Sequence, residues 1–521
     1  MPDSYIPKLL GKHVQPPSPK VSIEVGQIIV AVNHRRLGSR QLQLTAIAGS
    51  IGASLFVGIG SGVSSGPVCL LLAFIFWVTV VFSIAQCQAE IVTLFPLDGS
   101  FVRLASRMVD PALGVTAGWN LFFSQTSYVV FEATIINTLV EYWGYDQSPA
   151  ILISVSLILY LALNVYRAEI FGEAEFWLSL FKILLATGLI FYTLTVMLGG
   201  NPANDRFGFR YYKEPGPWVG RTPTTRLESF INAVNVAGFV VAGPDYISMV
   251  AGETKDPRRT IPRAFDTIIT RLIVFFIGGA LCVGILVPSN DPALTNGSDD
   301  YAEASPYVIS MQRLNIPVLP SVVNAALITS ILSAGNAYTF NASRSLHALA
   351  LEGVPYMAVI MVMLLSCLAF LALGSGSSQV LNWILNFNTA ATMLNWVVMS
   401  ATWIRFDAAI KAQKIDRHVY LPTISRYQPY AGYWAFFWAS IFLWIQGYAV
   451  FLKGNWDVAT FVFNYGIIAL AGGTRFHRRG VVDLVSDRDF FDALTEHYRI
   501  EREVGGSGTS TVTGRIMAKL F

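Results

Sequence analysis

An all-α polytopic membrane protein with twelve transmembrane helices is the fold class that three observations predict. Charged residues are scarce: Asp, Glu, Lys and Arg make up 13% of the 521 residues, about half the ~25% of a typical soluble protein. Their absence is also concentrated. Residues 41–89, 314–343 and 353–404 carry no charge at all, and one bilayer crossing takes roughly 20 apolar residues. Finally, the apolar runs are long and continuous, whereas a membrane β-barrel would alternate over ten-residue segments. A hydrophobic content of 53% and a mean hydropathy of +0.51 agree with this assignment.

The net charge of +3 is too small to imply a nucleic-acid partner, and no dense Lys/Arg block is present. Cys69, Cys87, Cys282 and Cys367 all fall in apolar segments, as small core- or lipid-facing residues rather than a disulfide framework. No His, Cys or acidic cluster has metal-ligand spacing, and no phosphate-loop motif is present, so neither a metal nor another cofactor is expected. No nucleophile–base–orienter set points to an enzyme.

In chain order, a polar N-terminal tail over residues 1–40 ends in the basic stretch Arg35-Arg36-Leu37-Gly38-Ser39-Arg40. Twelve apolar runs follow, at about 43–62, 68–95, 113–142, 149–166, 176–198, 229–251, 266–288, 318–345, 355–373, 380–404, 432–452 and 457–474. Gly, Pro, Ser or charged residues divide them. A polar tail over 475–521 closes the chain and contains the acidic run Asp483-Leu484-Val485-Ser486-Asp487-Arg488-Asp489, a candidate attachment point for a partner. An even span count puts both tails on one side. Lys8, Lys12, Lys20, Arg35, Arg36 and Arg40, then Lys255, Arg258, Arg259 and Arg263, then Arg405, Lys411, Lys414, Arg417 and Arg426 make that side the cytoplasm. The 199–228 loop, also basic, dissents. The sequon at Asn296 then faces outward. Pro257 and Pro262 read as turn punctuation between spans 6 and 7.

Helix-breaking residues cluster in spans 1 and 6. Span 1 reads Gly49-Ser50-Ile51-Gly52-Ala53-Ser54, and span 6 reads Gly238-Phe239-Val240-Val241-Ala242-Gly243-Pro244-Asp245. Small residues in one span also serve close helix packing. The pair is more telling, because spans 1 and 6 open two five-span halves. Interrupted helices at matching positions of two repeats point to a transporter site at the midplane. Exposed N–H groups at one break suit a carboxylate, and freed carbonyls at the other suit an ammonium. A ligand carrying both is an α-amino acid.

These residues resemble the fungal-type amino-acid permeases of the amino acid–polyamine–organocation superfamily. The matching segments include Arg36 to Arg40, Phe95-Pro96-Leu97-Asp98-Gly99-Ser100-Phe101, Gly118-Trp119-Asn120 and Gly172-Glu173-Ala174-Glu175-Phe176-Trp177. Phe239 to Ala264 with Gly252-Glu253-Thr254, and Ser333-Ala334-Gly335-Asn336, extend the likeness in order over about 35–490. The resemblance implies a LeuT-like fold with a five-plus-five inverted repeat and broken helices 1 and 6. It further implies secondary uptake of amino acids through the plasma membrane. The transporter domain would span 41–474, with repeat one at about 41–198, repeat two at about 229–404 and helices 11–12 at about 432–474. The tails would leave room for cytoplasmic trafficking partners.

The expected substrate-binding residues are Ser50, Ile51, Gly52, Ala53, Ser54, Phe239, Val240, Ala242, Gly243 and Asn336. Phe239 resembles an aromatic lid, and Asn336 either lines the cavity or bonds to span 1. Glu132 lies near the middle of span 3, where a carboxylate is costly and faces the bundle interior or a cavity. It either exchanges protons or ties helices together. Lys182, inside span 5, either snorkels to the interface or, as the resemblance implies, packs against span 1 where sodium-coupled relatives hold a cation. The second role would make the proton the coupling ion. Asp245 stands where the family usually has Glu, and is expected to cap the lower half-helix with a secondary influence on specificity.

Two further departures stand out. Ala53-Ser54 occupies the place of the family's Thr-Gly. Leu351-Glu352-Gly353 runs straight into Val354-Pro355, where relatives have a longer loop. A tight turn can join antiparallel helices. Two other functions remain open from sequence alone: transport of a related amine such as GABA, a polyamine or choline, or amino-acid sensing without transport.

Overall fold

Proline opens helix after helix along this chain. Pro67, Pro111, Pro149, Pro223, Pro244, Pro257, Pro306 and Pro355 are each the first residue of one. Their missing N–H is lost where the helix has no partner for it, and their fixed φ preorganises the first turn. Side-chain caps add to the effect. Asp110 accepts a hydrogen bond from Ala112 N at 3.1 Å, and Thr222 accepts one from Thr225 N at 3.2 Å.

The computed structural model describes residues 35, 37–166, 168–295, 305–349, 355–373, 377–469, 482–485 and 487–505. The sequon at Asn296, the short connection at 351–354 and most of both tails lie outside the described residues. Within them the architecture is helical, and the only extended pairing is an isolated bridge between Leu37 and Thr254. Five helices are long and apolar enough to cross a bilayer: Pro67–Leu94, Glu175–Met197, Pro223–Glu253, Pro257–Leu286 and Leu319–His347. Shorter apolar helices include Pro149–Val165, Met357–Leu371, Tyr430–Ile445 and Val458–Ala469.

Helices Pro111–Glu141 and Ser377–Ala412 are long but more polar, with 31 and 36 residues. Their polar residues point inward: Asn120, Gln125, Glu132, Asn388 and Asn395 are all buried. The outward surface is apolar instead. Ile158, Leu184, Phe191 and Leu364 are each more than 60% exposed. Such an extended apolar surface would be insoluble in water and suits lipid. Helices Pro111–Glu141 and Leu319–Leu349 make the most extensive contact in the bundle and form its centre.

Two boundaries differ from expectation. Pro262 does not punctuate a turn but lies inside helix Pro257–Asp266. It removes one helical N–H bond, while Ile261, Ala264 and Phe265 of that helix are fully buried and hold it against the bundle. The helix of the fifth apolar run begins at Ala168, about two turns before the expected start at 176.

Both ends of the described chain meet at one end of the bundle. Leu37 N donates to Glu253 O at 2.9 Å, and Lys255 N to Leu37 O at 2.8 Å. Arg35 donates to Ala251 O, Thr254 O and Pro96 O. From the other terminus, Asp483 and Asp487 pair with Arg107 at 3.2 and 3.1 Å. Asp492, on the C-terminal helix Arg488–Gly505, pairs with Arg258. The acidic run of the tail therefore has a partner within its own chain.

At the same end, Glu90 is fully buried and accepts hydrogen bonds from Trp403 Nε1 and Ser425 N, each at 2.8 Å, and from Arg417 Nη2 at 2.6 Å. Arg417 also reaches Asp407 at 2.8 Å. This network ties helix Pro67–Leu94 to helix Ser377–Ala412 and the segment that follows it. Removing one member of a buried ion pair strands the other. Glu90→Ala is expected to destabilise the purified protein by about 3 kcal/mol, read as a lowered unfolding midpoint in detergent. Its effect should be more than additive with that of Asp407→Asn, because only the double substitution takes both of these carboxylates away from Arg417.

Candidate functional site

The first break separates helix Ser39–Ser50 from the π-helical turn Ser54–Gly58. Ile51 is extended, with φ −115° and ψ 103°, and Ile51 and Gly52 belong to no helix. In an apolar medium the amides freed by such a break need another partner. Ala53 N–H finds one in Glu132, at 3.2 Å from Oε1 and 3.3 Å from Oε2. Glycine at 52 permits this approach: a Cβ there would lie 2.5 Å from Glu132 Oε1 and 2.8 Å from Ala334 Cβ.

The second break follows helix Pro223–Val240. Val241 is extended, residues 241–243 are non-helical, and Pro244–Met249 resumes the helix. The two broken helices run side by side: Pro244–Met249 packs on Ser39–Ser50, while Pro223–Val240 packs on Ser54–Gly58 and Ile59–Val63. The breaks therefore lie against one another. Around them stands an aromatic column. Tyr128 stacks on Phe239 and on Tyr338, with ring centroids 5.7 and 4.9 Å apart, and Phe131 meets Phe239 edge-on at 5.4 Å. Tyr338 Oη donates to Gly49 O at 2.9 Å. Phe239 is 5% exposed and every residue of Ser54–Gly58 is buried, so the site is occluded.

Beneath the first break lies a second group of charges. Lys182 is 0% exposed, which rules out a snorkelling position, and it faces both Glu175 and Glu132. Glu175 accepts from Ser333 Oγ at 2.6 Å and from Asn336 Nδ2 at 3.2 Å. Asn336 Oδ1 in turn accepts from Asn164 Nδ2 at 2.8 Å. Among the described residues, Asn336 thus bonds to Glu175 and Asn164 and not to the first broken helix. Tyr160, fully buried, faces Glu132 and Glu175.

Of the residues expected from sequence, Ser50, Ile51, Gly52, Ala53 and Ser54 line the first break, and Phe239, Val240, Ala242 and Gly243 the second. The Ser50 hydroxyl is turned back to Ile47 O at 3.1 Å. Asp245 lies in the first turn of Pro244–Met249, where free N–H groups favour an acid. Its carboxylate faces the Trp396 indole, yet Asp245 Oδ1 and Trp396 Nε1 complete no well-formed hydrogen bond among the described residues. Sequence reasoning assigned no role to Glu175, Tyr160, Tyr128 or Tyr338. Glu175 had one usable signal, an acid seven residues before Lys182 and so on the same helical face.

The close approach at Gly52 sets a test of this geometry. Gly52→Ala is expected to cost about 1–3 kcal/mol of overpacking, measured as a lowered unfolding midpoint. Gly188 sits in a helix where an added Cβ would meet nothing within 4 Å. Gly188→Ala should leave the midpoint unchanged or raise it, by up to about 1 kcal/mol from helix propensity.

Comparison with known proteins places these features in a family. A family model described as amino acid permease matches residues 41–479, a region that takes in both breaks and the buried charges. The chain is 40% identical over 456 residues to a general amino acid permease of Saccharomyces cerevisiae, covering 83% of this chain and 76% of that protein. It is 35% identical over 494 residues to a proline-specific permease of Emericella nidulans, covering 89% of each. A dicarboxylic amino acid permease of Saccharomyces cerevisiae is 33% identical over 498 residues, covering 89% of this chain and 82% of that protein. These relatives are transporters rather than enzymes, and this chain, an amino-acid transporter with apolar membrane helices, belongs to the amino acid permease family.

Proposed function

We propose that the protein imports L-amino acids across the plasma membrane by proton symport, through alternating access about the two helix breaks. On this reading residues 41–474 form twelve spans, with an inverted repeat of about 41–198 on 229–404 and helices 11–12 at about 432–474. Both tails, 1–40 and 475–521, are cytoplasmic. The meeting of the chain's two ends at one end of the bundle supports the shared side.

One observation carries the proposal: Glu132 occupies the very amide, Ala53 N–H, that a substrate carboxylate would seek. An ionised Glu132 holds this donor strongly, because a charged acceptor makes the stronger hydrogen bond. Protonation weakens that hold and releases the donor to the α-carboxylate. Freed carbonyls at residues 241–243 accept from the α-ammonium, since an unwound segment offers acceptors outside the helical ladder. Proton and substrate then bind cooperatively, as a symporter requires. Phe239, held between Tyr128 and Phe131, gates the site. Lys182 supplies a fixed positive charge next to Glu132 and takes the place of a coupling cation.

The side chain of the substrate meets a different environment. The relatives' names span general, proline-specific and dicarboxylic permeases, so the family leaves this choice to individual residues. Asp245, with an unsatisfied Oδ1 beside the second break, favours a cationic or hydrogen-bond-donating side chain and disfavours an acidic one.

Labelled amino-acid uptake in transport-deficient cells tests the proposal. Uptake should rise as external pH falls and collapse with a protonophore; uptake indifferent to the proton gradient refutes symport. In Glu132→Gln, gradient-driven accumulation should drop about 5- to 150-fold, the usual range of coupling free energies, while exchange of internal for external substrate persists. Asp245→Asn should weaken competition by lysine and arginine about tenfold, as expected for one charge-assisted hydrogen bond, and relieve discrimination against acidic amino acids.

A further inference from the structure

The buried charges beneath the first break do not balance. Glu132 and Glu175 are 0% and 1% exposed, and Lys182, which faces both, is 0% exposed. Two carboxylates and one ammonium leave a net negative charge in a dry part of the bundle, where uncompensated charge is strongly disfavoured. Among the described residues, the further titratable groups facing these carboxylates are the tyrosines Tyr160 and Tyr338, and Tyr128, which stands between Glu132 and Asp245. All are neutral or acidic, so none adds positive charge. Electroneutrality therefore demands one more positive charge, and a proton is the one that fits without a cavity.

Which carboxylate holds that proton is written in their partners. Glu132 accepts from a backbone amide at the first break. Glu175 accepts from Ser333 Oγ at 2.6 Å and Asn336 Nδ2 at 3.2 Å, on helix Leu319–Leu349. Tyr160, whose hydroxyl has no hydrogen-bond partner among the described residues, faces both acids. Lys182 and Tyr160 thus lie between one carboxylate coupled to the substrate site and one coupled to a different helix.

We propose that Glu175 is the second carboxylate of the proton site: Glu132, Lys182 and Glu175 together hold one exchangeable proton, which moves to Glu175 when Glu132 is ionised and to Glu132 when substrate binds. No bond other than O–H is made or broken. The proton leaves one carboxyl oxygen for the other; in each transport cycle one proton enters the cluster from the outer side and one leaves it to the inner side, so the cluster begins and ends each cycle with one carboxylic acid, one carboxylate and one ammonium. Glu175 acts as a positioning and storage residue, without touching the substrate.

The inference rests on the symport reading, and the experiment separates the two. The purified full-length protein is reconstituted in liposomes, and protons moved per labelled amino acid are measured for wild type, Glu175→Gln and Glu175→Asp. Glu175→Gln makes the remaining pair neutral without a proton, so the proton-to-substrate ratio should fall about fivefold or more while substrate exchange continues. Glu175→Asp should retain the wild-type ratio. If wild type moves no protons with substrate, the symport reading and this inference both fail. If Glu175→Gln transports at the wild-type ratio, only this inference fails; a slower rate at an unchanged ratio means a merely structural role. Should Glu175→Gln not fold, infrared difference spectroscopy of substrate binding to wild type and Ser333→Ala decides. The carbonyl stretch of the protonated carboxyl should shift when the Ser333 donor is removed, and a band that does not move excludes Glu175.

Discussion

An unwound backbone inside a bilayer must satisfy its amides with protein groups, and here the Glu132 carboxylate does so at Ala53 N–H. Much of the surrounding structure follows from that contact. Gly52 must lack a side chain so that the carboxylate can approach. The helix carrying Glu132 must lie at the centre, where it packs along helix Leu319–Leu349. A charge held so deep needs a counter-charge, which Lys182 provides from the neighbouring helix. The aromatic column closes the space above it, and Tyr338 returns a hydrogen bond to Gly49 O in the same broken helix. A helix that looks locally weak is therefore held on several sides, and its conformation is set by partners far away in sequence.

The breaks were legible in the sequence because Gly, Ser and Pro are rare choices in the middle of an apolar run, and their meaning is local. Glu132 was legible for the same reason, as an acid among apolar neighbours. Glu175 was not. It shares the segment Gly172 to Trp177 with Glu173, which reads as a polar entrance to a span. The helix in fact starts at Ala168, which places Glu175 two turns inside. A boundary error of that size changes an interfacial acid into a buried one. Tyr128 and Tyr338 were hidden differently. Aromatic residues in an apolar helix carry no sign of which face they occupy, and only the docking of three helices turns Tyr128 onto Phe239 and Tyr338 onto Tyr128.

Pro262 teaches the opposite lesson. Its local rule, that proline interrupts a helix, is sound, yet burial of Ile261, Ala264 and Phe265 outweighs one missing hydrogen bond. The Glu90 network was likewise out of reach, since Arg417 and Ser425 approach Glu90 only after more than 300 residues of chain have folded back. Sequence patterns report residues whose chemistry conflicts with their immediate surroundings. Residues whose role depends on a distant partner look ordinary until the partner is placed.

The strap formed by the C-terminal segment has a mechanical consequence. Its anchors are Arg107, ahead of helix Pro111–Glu141, Arg258, at the head of helix Pro257–Asp266, and Gln413 and Tyr420, beyond helix Ser377–Ala412. These belong to both halves of the chain, so any rigid-body rotation of one half against the other stretches the strap like a seat belt across two plates. Its ion pairs are partly solvated, and such pairs contribute about 0–1 kcal/mol each. On the alternating-access reading proposed above, the strap would peel open one contact at a time and add a graded, salt-sensitive drag to the opening of that face.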